Sequence, residues 1–201
     1  MKVLDANNVY FLGIGGIGMS ALARYFHDNG KLVAGYDKTP SDITTDLSEL
    51  GIDIHFEDDL AAIAMPFLNT SDTLVVYTPA IPESHRELNY FKSEGFTVLK
   101  RSRVLGEIAS QGTCLAVAGT HGKTTTTSIL GHLLYACDVP VTAFFGGISE
   151  NYNTNFISKG TEVTVVEADE FDRSFLTLNP DMACITSMDA DHLDVYGNTE
   201  E

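Results

Sequence analysis

The 201-residue chain carries 28 Asp and Glu against 12 Lys and Arg, a net charge of −16, with 44% hydrophobic and 20% charged residues. That length suits one large domain or two of about 100 residues each, and the composition excludes a disordered chain or a coiled coil. The acidic balance argues against a nucleic-acid partner, so any phosphate must be held locally, by backbone N–H groups, one or two placed cations and a bridging divalent metal.

In chain order, "NVYFLGIG" reads as a buried strand, "GMSALARYFHDNG" as a helix closed by Gly30, and "KLVAGYD" as the next strand. A helix is expected around Asp42 to Leu50, a short strand near Ile52 to His55, and a strand "TLVVYTP" ended by Pro79. "SHRELNYFKSEG" is predicted as a helix with Ser84 as N-cap and Glu87 three residues on, a capping-box pattern, and "FTVLK" as a strand. This alternation implies a parallel sheet with helices on its faces. The junction is placed in "RSRVLGEIASQGT" (101–113), giving one domain over residues 1–108 and a second over 109–201. There the series restarts with strand "CLAVAG", a helix from about Lys123 to Ala136, and strands "VTAFF", "EVTVVEA" and "MACITSM". "GGISENYNTNFISKG", rich in Gly, Asn and Ser, is expected to be a long loop of the kind that belongs to a site.

Cys114, Cys137 and Cys184 lie in apolar runs without a C-x-x-C pair, which reads as buried free thiols in a reducing cytosol. Val9 to Met19 is mostly apolar and Ala21-Leu22-Ala23 imitates a cleavage site, but the segment before it has only Lys2, offset by Asp5, so no signal peptide is expected. No run approaches the roughly 18 apolar residues a membrane span needs. A cytoplasmic protein without membrane insertion follows.

Two glycine loops carry the chemistry. Gly13, Gly15 and Gly18 fit G-x-G-x-x-G between a strand and a helix, where glycine permits a tight turn and lets a diphosphate approach the helix N-terminus. Asp37, at the end of the second strand, is placed to accept ribose hydroxyls. The bland alternative is that these glycines only ease helix–sheet packing. The second loop, "VAGTHGKT", departs from G-x-x-x-x-G-K-[ST] because Val117 stands where the first glycine belongs. Its working parts survive: Gly122 for the turn, Lys123 for the outer phosphates and the Thr124 hydroxyl for Mg²⁺. A Thr-capped helix start is the competing reading. Glu167 is the first acid after the run Val163 to Val166 and is expected beside the loop, whereas Asp169, Glu170 and Asp172 read as solvated loop acids. His192, among Asp189, Asp191 and Asp194, is placed to bind a second metal or orient a phosphate, against a purely structural role.

Together "FLGIGGIGMSALA", "AGTHGKTTTT", "EADEFDRSFL" and "DADHLDVYG" resemble the Mur ligase family, the ATP-dependent enzymes that build the peptide stem of bacterial peptidoglycan. The resemblance spans the chain, and the family's loop, G-T-x-G-K-T, accounts for Val117. It implies an α/β protein: a Rossmann-like parallel-sheet domain followed by the first part of a P-loop ATPase-type α/β central domain, with a third, C-terminal domain lacking. By motif position Gly13, Gly15, Gly16, Ile17, Gly18 and Asp37 would hold UDP-N-acetylmuramate. Gly119, Thr120, Gly122, Lys123, Thr124 and Thr125 would hold ATP, Thr124 and Glu167 one Mg²⁺, and His192 a second, with Lys123 and His192 as the catalytic pair. Asn153 or Asn155 is a further candidate, His121 has no assigned chemistry, and L-alanine is the implied second substrate. Complete members are more than twice as long, so this length is expected to lack ligase activity. A ligase using recycled tripeptide, a sugar-nucleotide binding module and a free-standing P-loop ATPase remain rival readings.

Overall fold

Parallel strands buried on both faces read as unbroken apolar runs, and these runs become the centres of two sheets. The structure, a computed structural model, describes residues 2–189. Two units emerge, Met1–Val104 and Leu105–Glu201.

The first unit contains β1 (Asn8–Leu12), α1 (Ile17–Asp28), β2 (Leu32–Tyr36), α2 (Asp42–Glu49), β3 (Asp53–His55), β4 (Thr73–Tyr77), α3 (Arg86–Ser93) and β5 (Thr97–Lys100). Its sheet runs β3-β2-β1-β4-β5, all parallel. The strand order reverses between β1 and β4, so the crevice for a ligand lies beyond the carboxyl ends of those strands. The glycine turn after β1 occupies that position. Tyr10, Leu12, Val75, Leu88 and Phe91 pack one face of the sheet. Gly35 in β2 is required by backbone proximity, since a Cβ there would lie 2.4 Å from the Phe11 carbonyl oxygen.

The helix α4 (Arg101–Ala109) leads into the second unit, built from β6 (Thr113–Ala118), α5 (Lys123–Ala136), β7 (Val141–Ser149), β8 (Thr154–Ser158), β9 (Val163–Glu167) and β10 (Met182–Ile185). Its sheet order is β10-β6-β9-β7-β8, parallel except for the β7–β8 hairpin. Gly131 lets α5 lie close on β7, because a Cβ there would meet the Ala143 Cβ at 2.9 Å and the Phe145 ring at 3.0 Å.

Several expectations are corrected. The segment expected as a long loop is mostly that hairpin: β7 runs to Ser149 and β8 starts at Thr154, with Asn153 in the left-handed region that its short polar side chain tolerates. Helix α3 is capped by His85 and not by Ser84: the Leu88 N–H donates to His85 Nδ1 at 3.4 Å, and Glu87 turns inward instead of closing a capping box. Of the cysteines, which are free, only Cys114 is buried; Cys137 and Cys184 are exposed. Among the described residues β10 lies at the edge of its sheet beside β6, and Cys184, Met182 and Ile185 on it are all exposed.

Candidate functional site

The turn after β1 is a compact knot. The Gly13 and Ile14 N–H groups donate to the Tyr36 carbonyl at 2.8 and 3.0 Å, and Gly13 takes φ +89°, which glycine adopts without strain. A side chain at Gly13 would strike Thr78 Cγ2 at 2.7 Å, so the segment after β4 closes against the turn. Gly16 caps α1, whose first residue is Ile17. Asp37 does something sequence reasoning did not anticipate. Its Oδ2 accepts the Gly15 N–H at 2.7 Å and its Oδ1 the Thr39 N–H at 3.1 Å, so the carboxylate ties the turn to the end of β2. Gly15 is glycine because a Cβ would sit 2.9 Å from that carboxylate and from Thr44 Cγ2. Gly18 lies under Arg101, whose Nη1 would be 2.9 Å from a Cβ. A guanidinium beside the first turn of α1 is thus part of the site, and no spacing rule in the sequence marks it.

In the second unit, register builds the site. Strand β6 pairs β9 with Val117 opposite Glu167, so the carboxylate at the end of β9 stands next to the loop leaving β6. The Thr124 hydroxyl donates to Glu167 Oε2 at 3.2 Å, and the Gly146 N–H to Oε1 at 2.6 Å. Burial pushes the Glu167 carboxyl above its ordinary range, while these two hydrogen bonds and the Lys123 ammonium pull it down. Gly122 caps α5 in the left-handed region without a side-chain cap, which removes the reading of a Thr-capped helix start. Gly119, at φ +124°, is pressed against the segment after β10, where a Cβ would meet Thr186 Oγ1 at 2.3 Å. That segment also takes the Thr120 and His121 N–H groups, on Ser187 O at 3.2 Å and Ser187 Oγ at 2.9 Å, and the Thr120 hydroxyl donates to the Asp189 carbonyl at 3.0 Å. Beyond them, the first turn of α5, Lys123 to Thr125, presents N–H groups that have no intrahelical acceptor.

Lys123 Nζ donates to the Gly119 carbonyl at 2.6 Å and to Glu170 Oε1 at 2.7 Å. Glu170 is therefore a member of the site and not a solvated loop acid, a correction with a clear physical reason: the 3-10 turn Phe171–Thr177 begins beside the loop, and Glu170 sits at its start. Asn155 is buried in β8. His192, Asp191 and Asp194 lie outside the described residues.

The donor set fits a magnesium nucleotide. One hydroxyl and one carboxylate 3.2 Å apart suit Mg²⁺, which keeps waters and phosphate oxygens for its other positions. Among the described residues no cluster of three or more His, Cys, Asp or Glu side chains could cage a metal. No helix among them is long and apolar enough to cross a membrane.

A separate polar cluster is buried in the first unit. The Tyr10 hydroxyl lies 2.6 Å from His55 Nε2 and 2.8 Å from Glu87 Oε2. Burial, then the Glu87 charge, raises the Tyr10 phenol, and burial pushes Glu87 up to about 7. Asp58 accepts the Arg86 and Glu87 N–H groups at 2.8 and 3.1 Å, helping His85 to start α3. The sequence holds no signal for this network, since its members come from β1, β3 and α3.

A Rossmann-like unit with a glycine turn at its strand-order reversal, followed by a unit whose glycine loop leads to a hydroxyl–carboxylate pair, defines an α/β protein with two phosphate-type turns. The Mur ligase family catalytic domain matches residues 8–113 and the Mur ligase middle domain residues 117–201. The chain belongs to the Mur ligase family. It is 62% identical over 198 residues to the UDP-N-acetylmuramate–L-alanine ligase of Flavobacterium psychrophilum, covering 98% of this chain and 44% of that protein. With the same enzyme of Parabacteroides distasonis it shares 59% identity over 201 residues, again 44% of the relative. Among solved structures it is similar to the UDP-N-acetylmuramate–alanine ligase of Thermotoga maritima, with a TM-score of 0.84, 32% identity, and coverage of 95% of this chain and 44% of that one. It is also similar to the UDP-N-acetylmuramate:L-alanyl-γ-D-glutamyl-meso-diaminopimelate ligase of Neisseria meningitides, with a TM-score of 0.83, 25% identity, and coverage of 97% and 64%. The chain spans less than half the length of the curated relatives it matches.

Proposed function

We propose that this chain supplies the sugar-nucleotide and ATP sites of a cytoplasmic ligase that joins L-alanine to UDP-N-acetylmuramate. The observation that carries the reading is the Val117–Glu167 register, which brings a metal-type carboxylate within 3.2 Å of the Thr124 hydroxyl beside Lys123. The choice of L-alanine over a tripeptide is supported by the high identity to the alanine-adding relatives.

In this reading the first unit binds the UDP-sugar along Gly13, Gly15, Gly16, Ile17 and Gly18, with Asp37 holding the turn and Arg101 placing a cation beside it. The second unit holds ATP on Gly122 to Thr125, with Gly119 and Thr120 shaping the loop, and Thr124 and Glu167 hold Mg²⁺. When bound, Mg-ATP supplies the γ-phosphoryl that turns the muramyl carboxylate, a poor acyl donor, into an acyl phosphate, from which the amine of L-alanine forms the amide as phosphate leaves. The chain's own part is positioning and charge. Lys123 places an ammonium on the transferring group, and the first turn of α5 offers fixed N–H dipoles that need no reorganisation. Glu167 keeps Thr124 oriented through their hydrogen bond. The role of His192 rests on the resemblance.

A chimera tests this, with residues 1–201 replacing the matching segment of the Flavobacterium psychrophilum enzyme. Phosphate release should require UDP-N-acetylmuramate and L-alanine together. Release without the sugar nucleotide, or with tripeptide in place of L-alanine, would overturn the assignment. Calorimetry on the chain itself with UDP-N-acetylmuramate and with Mg-ATP gives an independent readout: binding of only the first makes it a sugar-nucleotide module.

A further inference from the structure

The loop lysine already holds an anion, and that anion belongs to the protein. Lys123 Nζ is 2.7 Å from Glu170 Oε1, and both side chains are largely enclosed, 17% and 23% exposed. A second ammonium proton goes to the Gly119 carbonyl at 2.6 Å, which folds the side chain back over its own loop. Glu170 is not doing the work of the metal carboxylate. Glu167 does that, with one oxygen on Thr124 and the other on Gly146. Two acids three residues apart thus have separate partners: one faces the metal-type hydroxyl, the other the phosphate-type cation.

We propose that Glu170 is an internal counter-anion occupying the outer-phosphate place on Lys123, so that nucleotide affinity is set by competition between this carboxylate and the incoming phosphate. The inference rests on the ATP-binding reading of the loop. A carboxylate and a phosphoryl group carry like charge and cannot both sit at hydrogen-bond distance from one ammonium without mutual repulsion, in a chain that is already at −16. Binding is therefore an exchange of one anion for another. The Glu170 carbonyl accepts the Arg173 N–H at 3.1 Å, a backbone tie that does not depend on the carboxylate.

The test is calorimetric titration of ATP into the 201-residue chain, once in EDTA and once with Mg²⁺, for the parent, Glu170→Gln, Glu170→Asp, Lys123→Ala and the Lys123→Ala/Glu170→Gln double variant. Glu170→Gln should tighten ATP binding about threefold to tenfold in both buffers, the size expected for a partly enclosed ion pair. Glu170→Asp keeps the charge but loses one methylene of reach, and should also bind ATP more tightly than the parent. In the Lys123→Ala background the gain from Glu170→Gln should vanish, because the competition runs through the ammonium. Weaker or unchanged binding in both Glu170 variants, with Lys123→Ala still losing affinity, overturns the proposal and leaves the ATP site standing. A gain that persists without Lys123 also overturns it, since it would reflect diffuse charge. Failure of every form to bind ATP removes the ATP reading and this proposal together. Thermal unfolding of each variant confirms that the comparison is between folded proteins.

Discussion

Replacing Glu87 with Gln should give a stability change that depends on pH. The Glu87 side chain is wholly enclosed, and burial pushes its carboxyl from the ordinary 4.5 to about 7, with the Tyr10 hydrogen bond opposing. Proton accounting agrees with that direction. His55 Nδ1 lies 2.8 Å from the Glu57 carbonyl, an acceptor that fixes a proton on Nδ1. Tyr10 then has one proton for two neighbours, His55 Nε2 and Glu87 Oε2. A protonated Glu87 supplies the missing one; an ionised Glu87 leaves the trio a proton short in the core. Since the folded value lies above the unfolded one, the protonated carboxyl's contribution is complete below about pH 4.5 and is lost as pH rises through about 7. At about 1.4 kcal/mol per unit, the full loss in alkaline solution is about 3 kcal/mol. Gln keeps the volume and an acceptor for Tyr10 but cannot ionise. Expected, therefore, is near parity with the parent at about pH 4.5, within about 1 kcal/mol, and a variant more stable by about 2 to 3 kcal/mol at about pH 8.5. Urea titration read by hydrogen exchange of β1 and α3 peptides isolates the first unit from the second. A variant equally destabilised at both pH values would mean that Glu87 is ionised throughout, and would refute the reasoning.

The two phosphate turns should fail independently. Gly15→Ala, with its Cβ 2.9 Å from Asp37 Oδ2, is expected to weaken UDP-N-acetylmuramate binding by about tenfold or more and leave ATP binding unchanged, while Gly119→Ala, 2.3 Å from Thr186 Oγ1 and at φ +124°, does the reverse; calorimetry with each ligand on both variants checks this. Glu167→Gln keeps an acceptor for Gly146 but removes the metal-type charge, so the gain in ATP affinity on adding Mg²⁺ should fall by about tenfold or more, measured with and without EDTA. A thiol reagent under native conditions should label Cys137 and Cys184 promptly and Cys114 only on unfolding, as peptide mapping would show, because only Cys114 is buried and burial raises its thiol above the ordinary range.

Much of this architecture is written locally. Unbroken apolar runs ending in glycine announced β1 and β6, and each motif was readable because its parts are close in sequence: Gly13 to Gly18, Gly119 to Thr124. Glu167 was legible because a strand of fixed rise puts its first acid at the sheet edge. What escaped depends on partners distant in the chain. The stretch after Phe145 looks like a loop by composition, yet Gly146 belongs to β7 because its N–H meets the Glu167 carboxylate, and a Cβ there would lie 2.4 Å from Glu167 Oε2. Ser84 is the better cap by propensity, but Asp58, nearly thirty residues earlier, takes the first N–H groups of α3 and shifts its start to follow His85. The segment "MACI" has the composition of a buried strand and is exposed, because burial is decided by what packs on a strand and not by its residues.

Asp37 and Glu170 look alike on paper: each is a carboxylate bonded to a donor that a phosphate would want. Their attachments differ, and so should the outcome of neutralising them. Asp37 is fixed at both oxygens by backbone N–H groups, Gly15 and Thr39, so it is part of the turn's frame. An Asn there would direct its NH₂ at one of those donors and lose that tie. Glu170 instead meets the end of a flexible lysine, a contact that a stronger anion can replace. Asp37→Asn should therefore loosen the turn and weaken UDP-N-acetylmuramate binding, by about tenfold for one lost charge-assisted bond, whereas Glu170→Gln should strengthen ATP binding. The same calorimeter and the same chain give both numbers. If the two substitutions move affinity in the same direction, the distinction between a carboxylate that frames a phosphate turn and one that competes for it is wrong.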